Sequence, residues 1–298
     1  MRIAVASGKG GVGKSMLASA IAMLLSKDNK IVAVDCDVDA PNLHLWLGEG
    51  EDWDNIEKVS TNERAVIDQE KCDLCGKCID ICQFRALSIS NKELVINNFF
   101  CEGCGACEAV CPQNAIKMEP VENAEIKIKS DVYGFPLISA QLYPGETGSG
   151  KIVDEIKSRA EKLDYDVMIF DSPAGTGCPV IAVLKDVNFV ILITEPTPSS
   201  FSDLKRVLTV VNHFQVPYGV VINKWGINPE LSQRIKEEFK DVFLGKISYD
   251  KKIFQAIANL KPIMDTDLPA RTEIEGIFTR LKTLVYGESA LFGPWILI

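Results

Sequence analysis

Eight of the ten cysteines stand in two runs of one spacing, C-x₂-C-x₂-C-x₃-C. Cys72, Cys75, Cys78 and Cys82 recur as Cys101, Cys104, Cys107 and Cys111, each 29 positions on. Thiolates so spaced suit a [4Fe–4S] cubane, because three close cysteines wrap one cluster while the fourth of each run reaches the other. The expected ligand sets are Cys72, Cys75, Cys78 and Cys111 for one cluster and Cys82, Cys101, Cys104 and Cys107 for the second. Zinc is the rival, since paired C-x₂-C units also make tetrahedral thiolate sites, but a tandem of the cubane spacing favours iron–sulfur. Pro112 follows the last cysteine of the second run, whereas Gln83 follows Cys82, which leaves that turn open to loosening or its cluster to a shifted potential. Cys36 and Cys178 fall outside both runs and read as small core residues, with a redox or third-cluster role as the alternative.

A second chemistry lies near the N-terminus. Gly8-Lys9-Gly10-Gly11-Val12-Gly13-Lys14-Ser15 fits G-x-x-x-x-G-K-[ST] between a buried strand and a helix. Glycines let successive N–H groups turn inward on phosphate oxygens, and the helix end adds positive potential. The expected nucleotide contacts are Gly10, Gly11, Val12, Gly13, Lys14, Ser15 and Met16, with Lys14 on the β and γ phosphates and the Ser15 hydroxyl on Mg²⁺. Gly145-Glu-Thr-Gly-Ser-Gly-Lys151 repeats the glycine–lysine pattern but has Ile152 where the magnesium-binding hydroxyl belongs. It reads as a flexible loop capping the helix from Ile152, not as a second ATP site, and a contact with the cysteine segment or a dimer interface stays open.

Strands and helices must position these groups. Ile3–Ala6, a helix over Lys14–Leu25 and Ile31–Val34 form a βαβ pattern, which resumes with strands Val167–Phe170, Phe189–Ile193 and Gly219–Ile222. The expected fold is an α/β, doubly wound, mostly parallel sheet over residues 1–60 and 119–298, interrupted by a small α+β insert over 61–118. Gly48–Ser60 reads as a loop or linker and Glu125–Lys129 as an exposed strand. A net charge of −9 argues against a nucleic-acid surface or an anionic-membrane patch. Neither a signal peptide nor a membrane-length apolar run is found, so the expected compartment is the cytoplasm, where disulfides are disfavoured. His44 and His213 lack a partner set for catalysis, and the apolar Leu291–Ile298 suits core docking or a partner patch.

The K-G-G-V-G-K-S loop resembles the deviant Walker A of the MinD superfamily of P-loop ATPases. Resemblance implies that Lys9 is the signature lysine, reaching across a homodimer that sandwiches two ATP molecules. Asp35-Cys-Asp-Val-Asp39 is similar to switch I, which makes Asp37 the residue that positions attacking water and supports magnesium. Asp171-Ser-Pro-Ala-Gly-Thr-Gly177 is similar to Walker B and switch II, which adds Asp171 to the magnesium shell, and Asn223 matches the adenine-reading asparagine. Thr194-Glu-Pro-Thr-Pro-Ser and Gly245–Asp250 are family-like too. The cysteine segment resembles a two-cluster bacterial ferredoxin. Together these imply an ATP-hydrolysing iron–sulfur protein with ATP, Mg²⁺ and two [4Fe–4S] clusters, acting on an unidentified redox partner or iron–sulfur acceptor. Alternatives are a cluster carrier or cofactor-assembly ATPase, weakened by the lack of a C-x-x-C pair outside the runs, and a redox-sensing switch. Nothing resembles a membrane-anchoring basic helix.

Overall fold

The computed structural model describes residues 1–286, so Leu291–Ile298 lies outside the described residues. Short stretches of mostly buried apolar residues form its central strands. β1 (Arg2–Ser7) alternates Ile3 and Val5 into one layer with Ala4 and Ala6 into the other, as a pleated strand buried on both faces must. Beside it lie β2 (Ile31–Asp35), β10 (Val167–Ala174), β11 (Phe189–Thr194), β12 (Tyr218–Trp225) and β13 (Phe243–Ser248). With β3 (Asn55–Val59), β8 (Ala124–Val132) and β9 (Phe135–Leu142) they make a nine-stranded sheet among the described residues, ordered β13-β12-β11-β1-β10-β2-β9-β8-β3. Every pairing from β13 to β9 is parallel, and β8 and β3 add an antiparallel edge. The doubly wound α/β class is therefore observed.

Two expectations are corrected. Gly48–Ser60 is not all linker, because Asn55–Val59 pairs with Ala124–Ile128 as the outer strand. The segment Glu125–Lys129 is not an exposed strand, since β8 is bonded on both sides and sends Ile126 into the core. In each case tertiary pairing decides what local periodicity left undetermined.

One apolar layer gathers α1 (Lys14–Leu25) and α10 (Pro269–Tyr286) on one face of the sheet. The other gathers α5 (Ser149–Ala160), α6 (Cys178–Leu184), α7 (Pro198–His213) and α8 (Pro229–Glu238). Helices α1 and α6 both begin at one end of the sheet, the carboxyl ends of β1 and β10, where doubly wound folds form their crevice.

Between β3 and β8 the chain leaves this sheet. β4 (Asn62–Ile67) pairs antiparallel with β7 (Ile116–Val121), and β5 (Leu87–Ser90) with β6 (Glu93–Ile96). α3 (Lys77–Ile81) and α4 (Ala106–Ala109) complete the unit around a separate apolar cluster of Ala65, Cys78, Leu87, Leu94, Cys107 and Ile116.

Candidate functional site

After Ser7 the chain curls through the glycines and enters α1 at Gly13, whose φ of 98° is left-handed. A Cβ at that position would also collide with the Asn223 carboxamide, so both backbone and space demand glycine. The loop is pinned from two sides. Ser7 Oγ donates to Lys9 O at 2.7 Å. From the end of β12, Asn223 Nδ2 donates to Val12 O at 2.8 Å and Lys224 Nζ to Gly11 O at 3.1 Å. Asn223 Oδ1 accepts from Lys224 N, so one amide N–H of the expected adenine reader is left for another partner.

Two acids, Asp37 and Asp171, face Lys14 at the start of α1, and a third, Asp35, lies behind them. Asp171, in the second half of β10, is buried, and neither of its carboxylate oxygens has a hydrogen-bond partner. Burial raises its pKa to about 7, against the pull of the Lys14 charge and the Ser15 hydroxyl. Asp37 is half-buried, and desolvation raises its pKa while Lys14 lowers it. Asp35 plays a different part: its carboxylate accepts from the amides of Asp37, Asn42 and Leu43, at 3.1, 2.9 and 2.9 Å, and so shapes the loop that presents Asp37. Desolvation first and Asp171 second push the Asp35 carboxyl well above its ordinary range.

The buried, unpartnered Asp171 carboxylate, the half-buried Asp37 carboxylate and the Ser15 hydroxyl are hard oxygen donors, and Ser15, Asp37 and Asp171 fit Mg²⁺ on that ground, with Lys14 left for the phosphates. Residues 3–263 match the CobQ/CobB/MinD/ParA nucleotide binding domain. The chain belongs to this family. An uncharacterised protein of Methanocaldococcus jannaschii is 40% identical over 285 residues, covering 96% of this chain and 98% of its own. An iron–sulfur cluster carrier protein of Pyrococcus horikoshii is 24% identical over 272 residues, covering 86% of this chain and 76% of its own. In fold, the septum site-determining protein MinD of Pyrococcus horikoshii, solved with Mg-ADP, matches with a TM-score of 0.58 at 18% identity, covering 96% of this chain and 97% of that one.

On this family scaffold the cysteine segment keeps its 29-residue repeat down to single hydrogen bonds. Gly76 and Gly105 start the short helices in left-handed backbone, and Leu74 and Gly103, then Arg85 and Asn114, repeat positive φ at equivalent places. Cys82 Sγ accepts from Ala86 N and Cys111 Sγ from Ala115 N, both at 3.3 Å. The turn after Cys82 has the same form as the one after Cys111, so Gln83 does not loosen it. Cys72, Cys75, Cys78 and Cys111 line one small cavity; Cys82, Cys101, Cys104 and Cys107 line another. Burial pushes the Cys78 and Cys107 thiols above their ordinary pKa, so metal ligation there would displace a proton. Among the described residues no three Cys, His, Asp or Glu side chains close on a point as the cage of a single ion.

The loop Gly145–Lys151 touches that segment. Arg64 Nη2 donates to both carboxylate oxygens of Glu146, at 2.9 and 2.7 Å. Asn62 Nδ2 donates to Thr147 Oγ1 at 2.8 Å, and Lys151 Nζ donates to Asn62 Oδ1 at 3.2 Å. A wide groove beside it is lined by Asp39, Glu102, Lys151, Cys178 and Lys185.

Cys36 is buried, as expected, but Cys178 is exposed at the first turn of α6 and is no core residue. The helix start, not apolar packing, sets its environment. His44 is buried against Trp53 and within 3.3 Å of Glu51, and His213 ends α7 against Phe214. Sequence reading missed Glu195 and Lys224. Glu195 is buried at the end of β11, accepting from Lys224 Nζ at 2.6 Å and Lys9 Nζ at 3.2 Å. Its only local signal is an acid directly after an apolar strand.

Proposed function

We propose that the chain binds and hydrolyses Mg·ATP at Gly8–Ser15, pairs with a second copy around the nucleotide, and carries two [4Fe–4S] clusters whose docking to a redox partner follows the nucleotide state. Lys14 would hold the β and γ phosphates, the amides of Gly10 to Met16 would cradle them, and Asp37 would orient the attacking water. Ser15, Asp37 and Asp171 would hold the magnesium, which offsets phosphate charge when bound. The clusters, held by the two crossed cysteine sets in an inserted ferredoxin-like domain over 61–118, supply one-electron chemistry when bound.

One observation carries the iron–sulfur part. Each of the two cavities is lined by the four cysteines that crossed ligation requires, three from one run and one from the other. Coupling to the nucleotide finds support in the Gly145–Lys151 loop, which joins α5 of the main sheet to Asn62 and Arg64 at the entrance of the cysteine segment.

The test is iron and sulfide content followed by EPR of the reduced protein with and without ATP. About eight irons per chain and a spectrum or potential that moves on ATP binding are expected. Zinc in place of iron would refute the clusters, and signals indifferent to nucleotide would refute the coupling. A second reading, an iron–sulfur carrier, draws on the similarity to the Pyrococcus horikoshii protein of that name. Transfer of intact clusters to an apo acceptor would favour it.

A further inference from the structure

Glu195 holds two lysines with one carboxylate. Oε2 accepts from Lys224 Nζ at 2.6 Å, and Oε1 accepts from Lys9 Nζ at 3.2 Å and from Thr197 Oγ1 at 3.4 Å. Burial alone would raise the Glu195 carboxyl, but hydrogen bonds from Lys224 and Lys9 outweigh it and hold the group below its ordinary range. Its backbone is fixed as well, because Glu195 N donates to Ser200 Oγ at 3.3 Å in the first turn of α7.

The two arms differ. The Lys224 side chain is 24% exposed and is braced against Gly11 O, whereas that of Lys9 is 39% exposed with a longer bond to Glu195 and a 3.3 Å contact to Ser199 Oγ. A shorter and drier ion pair is the stronger one. An incoming polyphosphate carries more charge than one carboxylate, so it can draw away the exposed arm first and leave the braced arm in place.

We propose that Glu195 is a positioning residue for Lys9. It parks the ammonium beside the phosphate loop until a phosphate group competes for it, and Lys224, by sharing the same carboxylate, sets how tightly Lys9 is parked. The threshold this gives to nucleotide-dependent pairing rests on the pairing proposed above, while the parking itself is a property of the nucleotide-free chain.

Two substitutions of opposite sign separate parking from a structural role. Glu195→Gln removes the charge that holds Lys9. Lys224→Met removes a competing cation and leaves the carboxylate to Lys9. In the nucleotide-free full-length protein, pulse acylation with an amine-reactive ester is read at Lys9 by peptide mass spectrometry against the exposed Lys27. Glu195→Gln is expected to raise Lys9 labelling about threefold, the population change a partly exposed ion pair supports, and Lys224→Met to lower it. Shifts in the same direction, or none, would overturn the proposal, since general loosening of the site exposes Lys9 in both variants. Should Glu195→Gln fail to fold, Lys224→Met decides alone, with unchanged or raised labelling counting against parking. Sedimentation with a non-hydrolysable ATP analogue then reads pairing, with the midpoint expected at lower analogue concentration in Glu195→Gln and higher in Lys224→Met. A wild-type chain that never pairs while labelling moves as expected would sink the pairing and spare the parking. Pairing with unmoved labelling would do the reverse.

Discussion

The loops Gly8–Ser15 and Gly145–Ile152 both leave a parallel-paired strand of the main sheet, β1 in one case and β9 in the other, and both enter a twelve-residue helix through a left-handed glycine, Gly13 at φ 98° and Gly148 at φ 97°. They differ in register. Gly13 is the glycine directly before Lys14, so the lysine opens α1, whereas Gly148 caps α5 two residues before the motif glycine Gly150, which puts Lys151 in third place. They also differ in neighbours. Asp37 and Asp171 face the first loop's lysine, while Asn62 takes the second loop's lysine and Arg64 its acid. A glycine-rich turn into a helix supplies amides in either case. Register and the acids at adjacent strand ends distinguish a phosphate cradle from a brace.

The largest effect should come from exchanging the two lysines' fates. Lys14→Ala is expected to lower ATP hydrolysis by at least about a hundredfold, because the β and γ phosphates lose their point charge, while iron content stays unchanged. Lys151→Ala should leave hydrolysis within about twofold, as a half-exposed hydrogen bond to Asn62 is all it gives up. Phosphate release and iron assay on both variants measure this. A Lys151→Ala enzyme as dead as Lys14→Ala would erase the contrast.

Next in size is the pair of capping glycines. An L-residue at φ near +98° costs about 1–2 kcal/mol wherever it stands. At Gly148 the new Cβ meets Asn123 and Asn62 at ordinary van der Waals distances, so Gly148→Ala should cost about that and no more. At Gly13 the methyl also drives into the Asn223 carboxamide, breaking the brace on Val12 O, so Gly13→Ala should lose about 1 kcal/mol beyond it. Denaturant midpoints with unchanged slope give both values. Equal losses would mean that Asn223 yields freely.

How much of this was legible in the sequence follows from distance along the chain. The α1 boundaries Lys14–Leu25 came directly from the motif and the apolar run, because a helix start is a local event. The sharing of each cavity between the two cysteine runs was legible because a tandem repeat carries its own register. Glu195 was not, since its partner Lys9 lies 186 positions away and the sheet order β11-β1 that joins them is set by tertiary packing. The contact of Gly145–Lys151 with the cysteine segment stays open in the sequence, one of two alternatives, for the same reason: Asn62 is 89 positions from Lys151, and no local pattern says which side chain will fill a loop.

The smallest effect sharpens the role of the acids. With Asp171 raised to about 7 from 3.8, the folded chain binds more protons than the unfolded chain across roughly pH 4 to 7, so this group's contribution to stability falls as pH rises through that window. A bound magnesium needs the carboxylate, so binding must expel that proton below pH 7 and is freed of the cost above it. The stabilisation of the protein by Mg·ADP should therefore grow with pH, with the affinity rising about twofold between pH 7 and 8, and Asp171→Asn should flatten the trend. Thermal shift titrations at fixed ionic strength measure both. Among the described residues no corresponding acid is buried without a partner at the second loop, where Glu146 already has Arg64, so that loop should add no pH-dependent term. A slope that survives Asp171→Asn would place the proton elsewhere and remove the acid from the comparison.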